Sequence, residues 1–218
     1  MNKYQKTAEF IQNKLLADVS FIYKQNNNKL ILKLSDKNLL ESKNNTIVSS
    51  TALGYCVEEF LCNELTKKYP DFYYRNLEKT QRSSYDLFVF YNDIKILINF
   101  KMEKKNNNAI AALAQIRKDY IEKDNNYEKL FLIFKTSYSI KNVSINIENK
   151  FNSFFLEQCF FAEIKTDNRS WSKNNDNLSG RILYNHTKNG LKKLENISFL
   201  ETKQNILKFI EQKKKWNL

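Results

Sequence analysis

The sequence predicts an α/β fold in which a mixed central sheet is flanked by helices. Three observations predict it. Residues 84–101, SYDLFVFYNDIKILINFK, read as two strands around Asn92-Asp93, which is turn chemistry between runs of Phe, Val, Tyr, Ile and Leu. Apolar residues line both faces of that hairpin, with Leu87, Val89, Ile96 and Ile98 on one and Phe88 and Leu97 on the other. A sheet covered on both sides has this pattern. Segments with helical spacing of apolar residues precede and follow the hairpin, and a buried-type strand, KLFLIFK at 129–135, comes after them. The order is helix, short strand, hairpin, helix, strand, or αβββαβ.

Each element has its own signal. Residues 1–22 form an amphipathic helix, with Ala8, Ile11, Leu15, Leu16 and Val19 at helical spacing and lysines on the other side. A short strand is expected at 30–34. Residues 51–68, TALGYCVEEFLCNELTKK, make a helix whose buried stripe is Leu53, Val57, Phe60, Leu61 and Leu65. Glu58 lies on the flank of that stripe and Glu59 points away from it. After Pro70 comes a short strand, DFYYR at 71–75, and then a polar loop at 76–84 that carries Lys79 and Arg82. Residues 109–123, AIAALAQIRKDYIEK, read as a helix with Gln115 near its middle. The aromatic run FNSFFLEQCFFAEI at 151–164 reads as core, in a further strand pair, or as a dimer surface. A polar loop with Arg169, Trp171 and Lys173 follows, then a last strand at 180–184 and a terminal helix at 201–216.

At 218 residues the chain has room for one domain with a substantial core. That domain has its centre at about 51–136, a helical N-terminal segment at 1–22 and an accessory C-terminal region at 150–218. The net charge of +12 favours a polyanionic partner such as nucleic acid. Abundant Asn, Ile and Phe beside 3 glycines and 1 proline indicate that part of the lysine excess is codon bias. Cys56, Cys62 and Cys159 lack metal-ligand spacing and read as free thiols of a reducing cytosol. One histidine, His186, excludes a multi-histidine zinc site. No signal peptide or apolar run of membrane-spanning length is present, so a cytoplasmic protein is expected.

The hairpin carries the chemistry. A two-residue loop pairs Tyr91 with Ile94, and counting back places Asp86 opposite Asn99, with Lys101 on the face of Asn99. Charges inside a covered hairpin are paired or hold a metal. Two readings are open: an Asp86–Lys101 ion pair, or a phosphodiesterase site in which Asp86 binds Mg²⁺ and Lys101 orients or deprotonates the attacking water.

An Asp, twelve intervening residues, then Asn-Phe-Lys ending an apolar strand resembles the PD-(D/E)XK nuclease superfamily. The αβββαβ order is that superfamily's common core, and it covers about 53–135. Tyr85 stands where the motif has Pro, and Asn99 where it has its second acid. An amide offers a carbonyl oxygen to Mg²⁺ but no charge. Asn99 is compatible with an engineered Asp-to-Asn change, with a natural site into which another acid has moved, or with lost activity. Glu103-Lys104-Lys105 spells the motif in a second register, past the apolar strand. The resemblance implies a helix glutamate reaching the metal, which fits Glu58 four residues after Gly54, with Glu64 as a second candidate. It also implies a glutamine close to the scissile phosphate, which fits Gln115.

The expectation is therefore a Mg²⁺-dependent DNA endonuclease resembling type II restriction enzymes. Asp86, Asn99 and Glu58 would hold the metal, with Lys101 and Gln115 in catalysis. Lys79, Arg82, Arg117, Lys118, Arg169 and Lys173 are candidate DNA contacts. Double-stranded DNA is the expected partner, and a homodimer follows if both strands of a palindrome are cut. The rivals are a repair, resolvase or toxin nuclease, and an inactive DNA-binding or interaction module on the same fold.

Overall fold

A computed structural model describes residues 2–31, 50–76, 83–103, 109–141, 144–159, 181–183 and 190–215. The N-terminal helix α1 (Lys3–Gln25) is capped by Asn2, whose side chain accepts the Gln5 N–H at 2.7 Å. Asn27 and Asn28 then take positive φ, a conformation Asn tolerates better than most residues, and turn the chain into β1 (Lys29–Ile31). The second helix, α2 (Ser50–Lys68), leads to β2 (Tyr74–Arg75). The hairpin is β3 (Leu87–Tyr91) and β4 (Ile94–Glu103), and its register is Tyr91 with Ile94 and Leu87 with Ile98, as the period-two reading requires. Asn92 and Asp93 both have positive φ, the tight-hairpin geometry that selects Asn and Asp.

Four more strands follow: β5 (Ala109–Ala112), β6 (Glu128–Lys141), β7 (Ser144–Phe155) and β8 (Arg181–Leu183). The main sheet has six strands in the order β1-β7-β6-β4-β3-β2. Its β4–β6 pair is parallel and its other pairs are antiparallel, so the sheet is mixed as expected. On one face, α1 and α2 bury Leu87, Val89, Ile96, Ile98, Leu130, Leu132 and Phe134. On the other, Ile116, Tyr120, Ile121, Ile206 and Ile210 cover Leu97, Phe131, Ile133 and Phe154. Ile206 and Ile210 belong to the last helix, α4 (Phe199–Lys215). Long non-alternating strands buried on both sides follow from these two layers.

Three expected elements differ. Residues 109–123 are not one helix. Ala109–Ala112 pairs with β8 in a separate two-stranded sheet, α3 is only Leu113–Ile116, and Arg117–Glu122 is a π-helix whose last turn closes with Lys123 N–H on Lys118 O at 2.8 Å. Backbone pairing with a distant segment overrides the local helix propensity of the alanines. The DFYYR strand shrinks to Tyr74–Arg75, because Tyr73 is buried and donates its hydroxyl to Asp18 at 2.7 Å. The aromatic run after β7 breaks into a 3₁₀ turn, Leu156–Gln158, where Gln158 accepts the Phe155 N–H at 2.8 Å. Residues 160–164 lie outside the described residues.

That turn buries Glu157 under the π-helix. It accepts the Tyr120 hydroxyl at 2.5 Å and the Phe131 N–H at 3.1 Å. Burial outweighs these bonds and pushes its carboxyl up to about 7. An acid raised in the folded state binds a proton that the unfolded chain has already released. Its stabilising contribution is therefore whole below the ordinary carboxylate pKa and is lost as pH rises from about 4.5 to about 7. Glu157→Gln keeps an acceptor for Tyr120 and removes the titration. Its stability relative to the wild type is expected to rise across that window by roughly 2–3 kcal/mol. Urea unfolding at the two ends of the window measures this, and a constant difference between the proteins contradicts it.

Candidate active site

The cleft is built where α2 crosses the open end of the hairpin. Val57, Leu61 and Leu65 fix the helix on the sheet, which leaves Glu58 half-buried on the flank. Gly54 meets nothing that a Cβ would touch, so packing does not require a glycine there. Asp86 sits in the bend that enters β3. Its N–H donates to Ile98 O at 2.8 Å, and its Oδ2 accepts the Phe100 N–H at 2.7 Å. Glu58, Asp86, Arg75 and Tyr85 line a cleft of about 190 Å³, with Tyr55 at 67% exposure also on its wall.

Strict alternation places Asp86 opposite Asn99. The regular ladder ends at Leu87–Ile98, and Asp86 stays across from Asn99 through its bonds to Ile98 and Phe100 on either side, while its side chain also lines a cleft shared with α2. The Lys101 amine likewise reaches α2, at 3.9 Å from Glu58 Oε1. Glu58, Asp86 and Lys101 thus come together. Asn99 is 4% exposed and does not line the cleft. Its Nδ2 donates to Ser84 O at 2.8 Å, while its Oδ1 is buried with no hydrogen-bond partner.

The electrostatics follow the geometry. Burial pushes the Glu58 carboxyl up to about 7; the Lys101 amine opposes this and the nearby Asp86 carboxylate adds to it. Asp86 is also raised by burial, against the pull of Lys101 and of the Phe100 N–H. Glu58 and Asp86, two neighbouring carboxylates that resist ionisation, form an all-oxygen set. That set fits Mg²⁺, which takes one or two carboxylates and fills its remaining positions with water and phosphate. Among the described residues no group of three or more His, Cys, Asp or Glu assembles that could hold a metal ion, in this cleft or outside it.

The other candidates disperse. Gln115 is half-buried on α3 and Glu64 half-buried on α2, and neither lines the cleft. Arg117 pairs with Glu122 at 2.6 Å, and Lys118 is exposed on the π-helix. Glu103 is the last residue of β4, so the strand runs further than its apolar pattern. Lys79, Arg82, Lys104, Lys105, Arg169, Lys173 and His186 lie outside the described residues. One cleft residue, Arg75, and one residue that supports the cleft, Asp119, were missed by the sequence reading. Arg75 lines the cleft and is clamped by both Glu59 carboxylate oxygens and by Asn63. Asp119, buried in the π-helix, accepts from Ser83 Oγ at 3.1 Å, Ser84 N–H at 2.6 Å and Ser84 Oγ at 2.8 Å. It pins the segment that delivers Asp86. The available signal was an acid inside an apolar helical run, which marks a buried partner without naming it.

Among solved structures, the chain is similar to NlaIV restriction endonuclease, at 15% identity and a TM-score of 0.43 over 78% of this chain and 76% of that one. No family model matches the chain, and no curated protein matches it in sequence. The helix, hairpin and mixed-sheet arrangement is itself consistent with a restriction-endonuclease-like fold. No helix among the described residues is long and apolar enough to cross a membrane.

Proposed function

We propose that the cleft is the catalytic site of a Mg²⁺-dependent DNA endonuclease of the type II restriction kind. The observation that carries the reading is that Glu58 and Asp86 line one cleft of a strongly basic chain, with the Lys101 amine 3.9 Å from Glu58 Oε1. Glu58 and Asp86 would hold the metal. The metal supplies charge neutralisation at the phosphate and a lowered pKa for bound water. Lys101 is placed to neutralise the phosphate and orient the attacking water. A homodimer would match a palindromic site.

A second reading rests on the Asn99–Ser84 hydrogen bond. An amide that serves the fold is also what an inactive DNA-binding module on this fold would retain. Plasmid and phage DNA incubated with the protein, in Mg²⁺ and in EDTA, separate the two. Discrete bands that require Mg²⁺ are the expected result. No cleavage of any DNA, with tight and salt-sensitive binding, would replace the endonuclease reading with the module.

A further inference from the structure

Asp86 reaches the cleft on a segment that precedes the regular ladder. Pairing of β3 begins at Leu87, and residues 83–86 come before it. The Phe100 N–H, on Asp86 Oδ2 at 2.7 Å, sets how the carboxylate is turned. The backbone that carries the carboxylate is held from further away. Asp119, 3% exposed in the π-helix, accepts with one oxygen, Oδ2, from Ser84 N–H at 2.6 Å, Ser84 Oγ at 2.8 Å and Ser83 Oγ at 3.1 Å. Ser83 Oγ in turn accepts from Asn76 Nδ2 at 2.6 Å and from Tyr85 N–H at 3.3 Å, and the Asn76 N–H donates to Asp86 O at 3.3 Å. Asp86 is thus tied to Asp119 by two routes, one along the chain from Ser84 and one through Ser83 and Asn76. Ser83 and Asn76 line the cleft, and Asp119 stands behind them.

The π-helix is itself anchored. The Tyr120 hydroxyl donates to Glu157 at 2.5 Å, and the Lys129 amine donates to Tyr120 O at 3.1 Å and to Lys123 O. Tyr120, Glu157 and Lys129 are all buried. A π-helical turn is uncommon and frequently accompanies a functional site. A neutral acceptor at position 119 would satisfy the serine donors without burying a charge. A carboxylate makes stronger, shorter bonds and fixes the segment more tightly.

We propose that Asp119 is a positioning residue of the cleft, which holds the Ser83–Ser84 segment so that the Asp86 carboxylate stays registered with Glu58 for a shared divalent cation. This inference rests on reading the cleft as a Mg²⁺-dependent phosphodiesterase site. Asp119 itself touches neither metal nor DNA.

The test titrates the full chain with Mg²⁺ alone, by calorimetry and without DNA, at a temperature where circular dichroism shows each variant folded. Plasmid cleavage is followed on the same preparations. Asp119→Asn is expected to bind Mg²⁺ roughly 10–100-fold more weakly, the range for a group that orients a metal ligand. Its kcat falls by a similar factor, while KM for the plasmid stays. Asp18→Asn is the control: it removes a buried carboxylate that accepts the Tyr73 hydroxyl at 2.7 Å, away from the cleft. It is expected to lower Tm and to bind Mg²⁺ as the wild type does. Added to the Ser83→Ala/Ser84→Ala pair, Asp119→Asn should weaken Mg²⁺ binding less than it does alone, because the carboxylate acts through those hydroxyls. If Asp119→Asn fails to fold, the serine pair, which keeps the Ser84 N–H bond, is held to the same outcomes. Unchanged Mg²⁺ affinity in a folded Asp119→Asn, beside a wild type that binds and cuts, overturns the positioning role and leaves the reading of the cleft standing. An equal loss of affinity in Asp18→Asn also overturns it, since the effect is then general to stability. A wild type that takes up no Mg²⁺ and cuts nothing overturns the phosphodiesterase reading and the positioning role with it.

Discussion

Asp86→Asn is expected to abolish cleavage, lowering the rate by about 10³-fold or more, which corresponds to ~4 kcal/mol of transition-state stabilisation. The fold survives the change. Asp86 Oδ2 accepts the Phe100 N–H at 2.7 Å, and the Asn carbonyl oxygen can keep that bond. What is removed is one buried negative charge, which raises the pKa of the neighbouring Glu58. The variant is therefore expected to melt no lower than the wild type in EDTA, since relief of carboxylate repulsion offsets the poorer acceptor. It should lose most of the stabilisation that Mg²⁺ gives the wild type, because a ligand that binds only the folded state raises Tm by mass action. Paired melting curves and a plasmid assay check this. A variant that cuts as fast as the wild type would remove Asp86 from the chemistry.

The parts of this site legible in the sequence are those that periodicity governs. The β3–β4 register follows from a two-residue Asn-Asp turn and a side-chain period of two, and the structure has that register residue for residue. Glu58 was legible because its place beside the Val57–Leu61 stripe follows from helical spacing. Periodicity stops where the ladder stops. Asp86 lies one residue beyond β3, in a bend, so the rule that sets it across from Asn99 does not tell that Asp86 lines the cleft and Asn99 does not. Lys101 is long enough to carry its amine toward α2 whatever face its Cβ takes. Arg75 and Asp119 reach the site through partners distant in sequence, Glu59 and Ser84, which local pattern cannot pair. The alanines of β5 show the same limit, since a strand partner more than sixty residues away decides their conformation.

The chain of contacts from Asp119 to Ser84 to Asn99 gives the amide at position 99 a physical reason. The Ser84 carbonyl needs a donor, and Nδ2 supplies it at 2.8 Å in a site that is 4% exposed. Asn99→Asp removes that donor and sets a buried carboxylate against a carbonyl oxygen. In EDTA the variant is expected to lose about 2–4 kcal/mol, a fall in Tm of roughly 5–15 °C. Mg²⁺ reverses the sign. A third carboxylate beside Glu58 and Asp86 completes an acidic metal site, so the Tm gain on adding Mg²⁺ should exceed that of the wild type, and cleavage should rise with it. Melting in EDTA and in Mg²⁺, with cleavage measured on the same preparations, decides between the two readings of the cleft. A loss of stability that Mg²⁺ restores, with faster cutting, places position 99 at the metal. A loss that Mg²⁺ leaves untouched, with cleavage unchanged, makes Asn99 a structural donor to Ser84 and leaves Glu58 and Asp86 as the whole acidic set.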